Sequence, residues 1–199
     1  MNAPAGTPIA VVVAGALGRM GAEVIRAVVA ADDCRLVGAV DTTPGREGDD
    51  VGLALGLGEL EVAITADLEG CLCATSQAVR DQGPGAGAVM VDFTHPSVVY
   101  ANTRAAIAYG VHPVIGTTGL SPEQLNDLQV FSQKASVGGA VIPNFSVGLL
   151  QQHHADREVG NHRSTHRRFL GEHLQVVELL RAQPRGADHG MHALSLIHI

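Results

Sequence analysis

Between residues 9 and 142, apolar runs of strand length alternate with segments whose apolar positions recur at helical spacing. Ile9 to Ala14 is a continuous run rich in β-branched residues that stops at Gly15, the pattern of a central parallel strand covered on both faces. After the glycines, Val24, Ile25, Val28 and Val29 recur at helical spacing with Glu23 and Arg26 turned outward, predicting a helix that ends near Ala31. Leu36 to Val40 predicts a second strand, closed by Asp41. Residues 42–58 are polar and glycine-rich and predict a mobile loop. A short strand around Val62 to Ile64 and a short helix near Asp67 follow, and residues 83–87 predict another loop.

The second half repeats the alternation. Ala88 to Phe93 reads as a strand, and Thr94-His95-Pro96 turns the chain into a helix reaching about Tyr109, with Gly110 placed as its C-terminal cap. Val111 to Ile115 is the next strand and leads into Gly116-Thr117-Thr118-Gly119. Ser121 is placed as an N-cap, with Pro122 at the first helical position and Gln124 completing a capping box. The apolar positions Leu125, Leu128 and Phe131 then share one face. Ala140 to Ile142 makes a further strand before Pro143-Asn144-Phe145-Ser146. Strands alternating with helices in this way imply an α/β protein with a Rossmann-type, right-handed doubly wound parallel sheet, a domain expected over residues 1–150.

Composition narrows the class. The chain of 199 residues is 46% hydrophobic and 17% charged, enough to bury a core. With no Trp and 3% aromatic residues, that core must be built from Val, Ala, Leu and Ile. A net charge of -7 argues against a nucleic-acid or anionic-membrane surface, and no apolar run reaches the ~18 residues of a membrane span. The N-terminus has no basic segment, so the cytoplasm is the expected location. Cys34, Cys71 and Cys73 lack paired metal spacing and read as buried small residues of a reducing compartment.

Beyond Leu150 the character changes. Eight of the ten histidines lie there, together with an Arg-rich stretch over residues 153–169 that has no apolar period. His162 and His166 sit four apart, but no helix or strand pattern frames them, so no metal site is expected.

The candidate chemistry begins at Gly15-Ala16-Leu17-Gly18-Arg19-Met20-Gly21, between the first strand and the first helix. Its glycines allow a tight turn and let backbone N–H groups and a helix N-terminus approach a pyrophosphate. Asp41, twenty residues after Gly21 at the end of the second strand, is placed to accept hydrogen bonds from an adenosine ribose. Asp92-Phe93-Thr94 and Gly116-Thr117-Thr118-Gly119 follow apolar strands, where ligands of open α/β sheets bind. The expected cofactor is NADPH or NADH. A carboxylate at Asp41 disfavours a 2′-phosphate unless a cation compensates, and Arg46 is the nearest candidate, so the choice stays open.

Four motifs occur in order, GAxGRMG, VDFTHP, GTTGLS and IPNFSVG, and together they resemble the 4-hydroxy-tetrahydrodipicolinate reductase family of lysine and diaminopimelate biosynthesis. The resemblance covers Ile9 to about Leu150. It implies an NAD(P)H-dependent oxidoreductase that delivers hydride to a small cyclic dicarboxylate. It places Gly15, Ala16, Leu17, Gly18, Arg19 and Met20 on the pyrophosphate and Asp41 on the ribose. Gly116, Thr117 and Thr118 would line the nicotinamide side, with Phe93 and Thr94 as further cofactor-binding residues, Ile142, Pro143, Asn144 and Phe145 would complete the pocket, and Thr117 would also help position substrate. Intact members are homotetramers built through their substrate domain.

The family's Glu-Leu-His-His, Lys and Asp-Ala-Pro-Ser-Gly-Thr segments do not follow the lead-in at Glu172 to Leu179, so no catalytic residue of that set is retained. Residues 151–199 therefore read as an aberrant, poorly ordered remnant of an incomplete substrate domain, with frameshifts near Gln152, Glu172 and Leu180 and adapter-like sequence at Leu194 to Ile199. Two other readings stand beside this one: a non-catalytic NAD(P)-binding remnant, and another Rossmann oxidoreductase such as an aspartate dehydrogenase-like enzyme.

Overall fold

The computed structural model describes residues 7–83, 86–142 and 194–196. The expected pocket residues Pro143, Asn144 and Phe145, and the remnant expected over 151–199 apart from 194–196, lie outside the described residues. The elements run β1 (Ile9–Ala14), α1 (Arg19–Val29), β2 (Cys34–Val40), α2 (Val51–Ala54), β3 (Ile64–Thr65), α3 (Leu68–Gln82), β4 (Ala88–Asp92), α4 (Val99–Ala108), β5 (His112–Ile115), α5 (Pro122–Ala135), β6 (Gly139–Val141) and β7 (Leu194–Leu196).

Every strand pair is parallel, in the order β3-β2-β1-β4-β5-β6-β7. The chain leaves β1 toward β2 and β3 on one side and resumes at β4 on the other. The switch in direction therefore lies between β1 and β4, which opens a crevice at their C-terminal ends. β7 adds Leu194–Leu196 to the free edge of β6, with Ser195 opposite Ala140.

Side-chain parity divides the core. Ile9, Val11 and Val13 of β1 face α1, whose Val24, Ile25 and Val28 pack on them with Val51 of α2. Ala10, Val12 and Ala14 face the opposite layer, which holds Leu72 of α3, Val99, Ala106 and Ile107 of α4 and Leu128 of α5. All six residues of β1 are buried, as expected of a central strand with helices on both sides. The expected α/β class and doubly wound sheet are thus present.

Several local expectations are corrected. Val29, placed on the buried face by spacing, is 46% exposed because α1 ends there. Arg26 is not turned away: it is half-buried, and its Nη2 donates to the Leu55 carbonyl at 3.4 Å. Cys34 is buried and Cys71 half-buried, where burial pushes its thiol up, but Cys73 is exposed on α3. α3 itself runs for fifteen residues instead of forming a short helix. Its buried positions, Leu72, Thr75 and Ser76, are mostly small and polar, so hydrophobic periodicity understates it.

The segment expected to be a mobile loop is stitched down by two carboxylates. Glu47 accepts from the Thr65 hydroxyl at 2.9 Å and the Ala66 N–H at 2.7 Å. Asp50 caps α2 through the Leu53 N–H and also accepts from the N–H groups of Leu60 and Val62. Those donors hold its carboxyl below the usual range, with the Leu53 N–H the largest cause. At α5 the expected capping box forms, with Gln124 N–H donating to Ser121 Oγ at 3.2 Å and Ser121 N–H to Gln124 Oε1 at 2.9 Å.

Candidate functional site

The crevice is built where strand ends hand hydrogen bonds to one another. Gly15 and Ala16 donate their N–H groups to the Val40 carbonyl, closing the β1 end against β2. Phe93 N–H donates to Ala14, Gly116 N–H to Asp92, and Ile142 N–H to Ile115. The first residues after β1, β4, β5 and β6 are therefore held in one continuous line along the sheet's C-terminal rim.

The glycine turn has the geometry its sequence requires. Gly15 adopts φ +80°, and a Cβ there would fall 2.5 Å from the Phe93 carbonyl oxygen. Gly21 lies so close to this turn that a Cβ would stand 2.0 Å from Gly15 O. Gly18 is the N-cap of α1 and carries no side chain to satisfy the first-turn amides. A helix N-terminus left without a side-chain cap, with the positive end of its dipole at the crevice, suits an anion such as a pyrophosphate. Gly18 and Arg19 are exposed, Leu17 and Met20 are half-buried, and Ala16 is fully buried, so Ala16 can serve only through its backbone.

Asp41 joins this turn to the end of β2. Leu17 N–H donates to its Oδ2 at 2.8 Å, while Thr43 donates both N–H (2.9 Å) and hydroxyl (2.6 Å) to Oδ1. Burial pushes the carboxyl upward, but the Thr43 hydroxyl and the N–H groups of Leu17, Thr43 and Thr42 outweigh it and hold Asp41 below the ordinary carboxylate value. Oδ2 keeps a lone pair for a ribose hydroxyl. Arg46, the cation considered for a 2′-phosphate, forms an ion pair with Asp49 at 3.2 Å.

At the other side of the switch point, the Phe93 ring lies over Gly116, where any Cβ would meet its Cε1 at 2.2 Å. Asp92 is fully buried beneath them. Its Oδ1 accepts from Thr94 N–H (2.9 Å), the Thr94 hydroxyl (2.7 Å) and the Thr117 hydroxyl (2.8 Å). Its Oδ2 accepts from Asn102 Nδ2 of α4 at 2.9 Å. Thr117, expected to help position substrate, thus has its single hydroxyl proton committed to Asp92, while Thr118 is exposed. Ile142 is 1% exposed and sits in the core, leaving only its backbone at the rim.

Residue spacing alone did not single out Thr43 or Asn102 as functional, and it took Asp92 only as part of a strand-end segment facing the crevice. A signal was present: Asp41-Thr42-Thr43 and Asp92-Phe93-Thr94 are the same D-x-T pattern at two strand ends, and each forms the same local turn. Among the described residues no group of three or more His, Cys, Asp or Glu is placed to hold a metal ion, and no helix is long and apolar enough to cross a membrane.

Comparison with known proteins matches residues 9–145 to the family of dihydrodipicolinate reductase, N-terminus. The 4-hydroxy-tetrahydrodipicolinate reductase of Synechococcus sp. (strain CC9605) is 82% identical over 147 residues, covering 73% of this chain and 52% of that protein. The enzyme of the same name from Synechococcus sp. (strain RCC307) is 64% identical over 182 residues, 92% of this chain and 62% of its own length. A match of that extent necessarily runs past residue 150. The chain spans between half and two-thirds of the length of these relatives. Among solved structures, the dipicolinate-bound dihydrodipicolinate reductase of Paenisporosarcina sp. TG-14 superposes with a TM-score of 0.52 at 21% identity, covering 97% of this chain and 79% of that one. Biliverdin reductase of Synechocystis sp. PCC 6803 gives 0.54 at 15% identity, covering 75% and 43%, a likeness of fold. With its glycine turn, Asp41 and the two threonine turns all inside the matched stretch, this chain belongs to the dihydrodipicolinate reductase family.

Proposed function

We propose that this chain supplies the dinucleotide-binding part of a 4-hydroxy-tetrahydrodipicolinate reductase, an NAD(P)H-dependent oxidoreductase acting on a small cyclic dicarboxylate. The observation that carries the reading is the uncapped start of α1 at Gly18, set beside a glycine turn that is tied to the Asp41 carboxylate at the switch point of the sheet. Gly15 to Met20 hold the pyrophosphate, Asp41 accepts from the adenosine ribose, and Phe93, Thr94, Gly116, Thr117 and Thr118 border the nicotinamide ring. When bound, the reduced nicotinamide supplies the hydride. The chain's own work is to orient that ring and to exclude water around it. Dipicolinate, bound in the Paenisporosarcina enzyme, exemplifies the class of substrate that the crevice would face.

Asp41 has its carboxyl held in the ionised range by its donors, and using Arg46 for a 2′-phosphate requires breaking its pair with Asp49. NADH is therefore expected to bind more tightly than NADPH. The family's Glu-Leu-His-His and Ser-Gly-Thr segments do not occur in this sequence, and His153-His154 precedes the lead-in at Glu172, so the 199-residue chain is expected to bind the dinucleotide without turning over substrate. Titration of NADH and NADPH against the purified chain, with a reductase assay in parallel, tests the reading. Saturable NADH binding with no turnover supports it. Absence of binding to either dinucleotide refutes it.

A further inference from the structure

The carboxylate at the end of β2 cannot move without breaking several bonds. Asp41 takes Thr43 N–H at 2.9 Å and the Thr43 hydroxyl at 2.6 Å on Oδ1, and Leu17 N–H at 2.8 Å on Oδ2. Each carboxylate oxygen has two acceptor positions, so Oδ1 is filled and Oδ2 keeps one. The backbone beneath is fixed as well. Asp41 N–H donates to the Thr65 carbonyl at 3.0 Å, and Glu47 in turn holds the Thr65 hydroxyl and the Ala66 N–H. Thr43 is the hub of this corner. Its hydroxyl and N–H serve Asp41, while its carbonyl accepts Arg46 N–H at 3.3 Å across Pro44 and Gly45. Gly45, at φ +76°, suits the third position of a type II turn, and that turn carries Arg46 on to its ion pair with Asp49. The matching threonine turn after β4 is closed over a buried Asp92, but this one is open: Thr43 is exposed and Asp41 half-buried.

We propose that Thr43 is the specificity-determining positioning residue of this corner, a latch that holds Asp41 where it takes a free ribose hydroxyl and refuses a 2′-phosphate. The inference rests on the dinucleotide reading above and assigns its selectivity to a residue that acts through Asp41. A phosphate at that place meets an ionised carboxylate, so admitting it requires Asp41 to turn away. Turning away breaks three hydrogen bonds, two of them made by Thr43. A hydroxyl needs only the one acceptor position left on Oδ2. That position survives removal of the Thr43 hydroxyl, because Leu17 still holds the same oxygen. Loss of the Thr43 hydroxyl therefore lowers the cost of admitting a 2′-phosphate and takes little from a dinucleotide that lacks one.

The test titrates NADH and NADPH against the purified full chain and its variants. The chain has no Trp, so the fluorescence of the reduced ring reads binding directly. The unsubstituted chain is expected to favour NADH. Thr43→Val keeps the shape and the backbone N–H but loses the hydroxyl. It is expected to bind NADPH about tenfold more tightly, the value of one hydrogen bond to a charged group that no longer has to be broken, with NADH changed by less than about twofold. Thr43→Ser, which keeps the hydroxyl, is expected to match the unsubstituted chain. In an Asp41→Ala background, Thr43→Val should leave the ratio of the two affinities unchanged, because the latch then has nothing to hold.

Structural damage weakens both dinucleotides together and does not tighten one of them, so a gain confined to NADPH is the decisive result. An unchanged ratio in Thr43→Val, or equal weakening of NADH and NADPH, would overturn the inference while leaving the dinucleotide reading intact. So would a Thr43→Ser chain that behaves like Thr43→Val, or a shift in ratio of the same size with and without Asp41. Tighter binding of NADPH than of NADH by the unsubstituted chain would overturn it as well. Failure of the unsubstituted chain to bind either dinucleotide would remove the dinucleotide reading and the inference together.

Discussion

The backbone N–H of Leu17 and the Oδ2 of Asp41 lie 2.8 Å apart, 24 residues distant in sequence, and their hydrogen bond fastens the glycine turn to the end of the neighbouring strand. The same carboxylate holds Thr43 through two further bonds. Asp41 is therefore both a ligand group and a structural clasp, and the two roles separate experimentally.

Asp41→Asn is expected to weaken NADH binding by about tenfold, because a charge-assisted acceptor for the ribose becomes a neutral one. It also changes the response to acid. The folded pKa of Asp41 lies below its ordinary value of 3.8, so the linked stability is complete above that value and is lost as the pH falls through the lower folded value. The drop in Tm between about pH 6 and about pH 3 is expected to be smaller in Asp41→Asn than in the unsubstituted chain. An equal drop in both proteins would remove Asp41 from the acid response.

Gly15→Ala is expected to lower stability by about 3 kcal/mol or more, since it combines a φ of +80° with a Cβ pressed against the Phe93 carbonyl. Urea denaturation reads this as a lower midpoint with an unchanged slope. A shift corresponding to less than about 1 kcal/mol would show that the turn can relax around a methyl group.

Asp50→Ala is expected to release the segment between β2 and β3 without unfolding the sheet. Leu53, Leu60 and Val62 each lose the acceptor that holds their N–H. Amide hydrogen exchange at those three positions should accelerate markedly, while exchange in β1 and β4 stays slow. Unchanged protection at Leu60 and Val62 would show that the loop is held by other contacts.

Ser121→Ala removes one half of the capping box on α5 and is expected to cost about 1 kcal/mol. Ser121→Asn, which restores a side-chain acceptor and keeps a donor toward Glu123, should recover most of it. The comparison of thermal midpoints for the two variants decides whether the cap or simple loss of a hydroxyl matters.

The sheet and the glycine turn were legible in the sequence for a definite reason. The strands β1 and β4 are buried on both faces, so they read as unbroken apolar runs, and the caps at Ser121 and Gly110 are set by local chemistry. What stayed hidden depended on distant partners. α3 is held by Leu72, by the Ser76 hydroxyl donating to the Tyr109 carbonyl, and by small residues, none of which makes a strong helical stripe. The order of residues 42–62 comes from Glu47 and Asp50 reaching across the segment, which a count of glycines and polar residues cannot reveal. In the same way, the sequence placed Thr117 only after an apolar strand, as a residue that would help position substrate. Only the fold brings Asp92 from the neighbouring strand to take its proton.

The line of hydrogen bonds along the rim, from Gly15 and Ala16 on Val40 through Phe93 on Ala14 to Gly116 on Asp92, has a thermodynamic consequence. The first residues of each loop are already fixed by the strand beside them, so little conformational entropy remains there for a ligand to freeze out. Association is then governed by shape and by the desolvation of polar groups. The strength of binding tracks how well the incoming molecule replaces the water it displaces, and the rim behaves as a preformed mould rather than a closing hand.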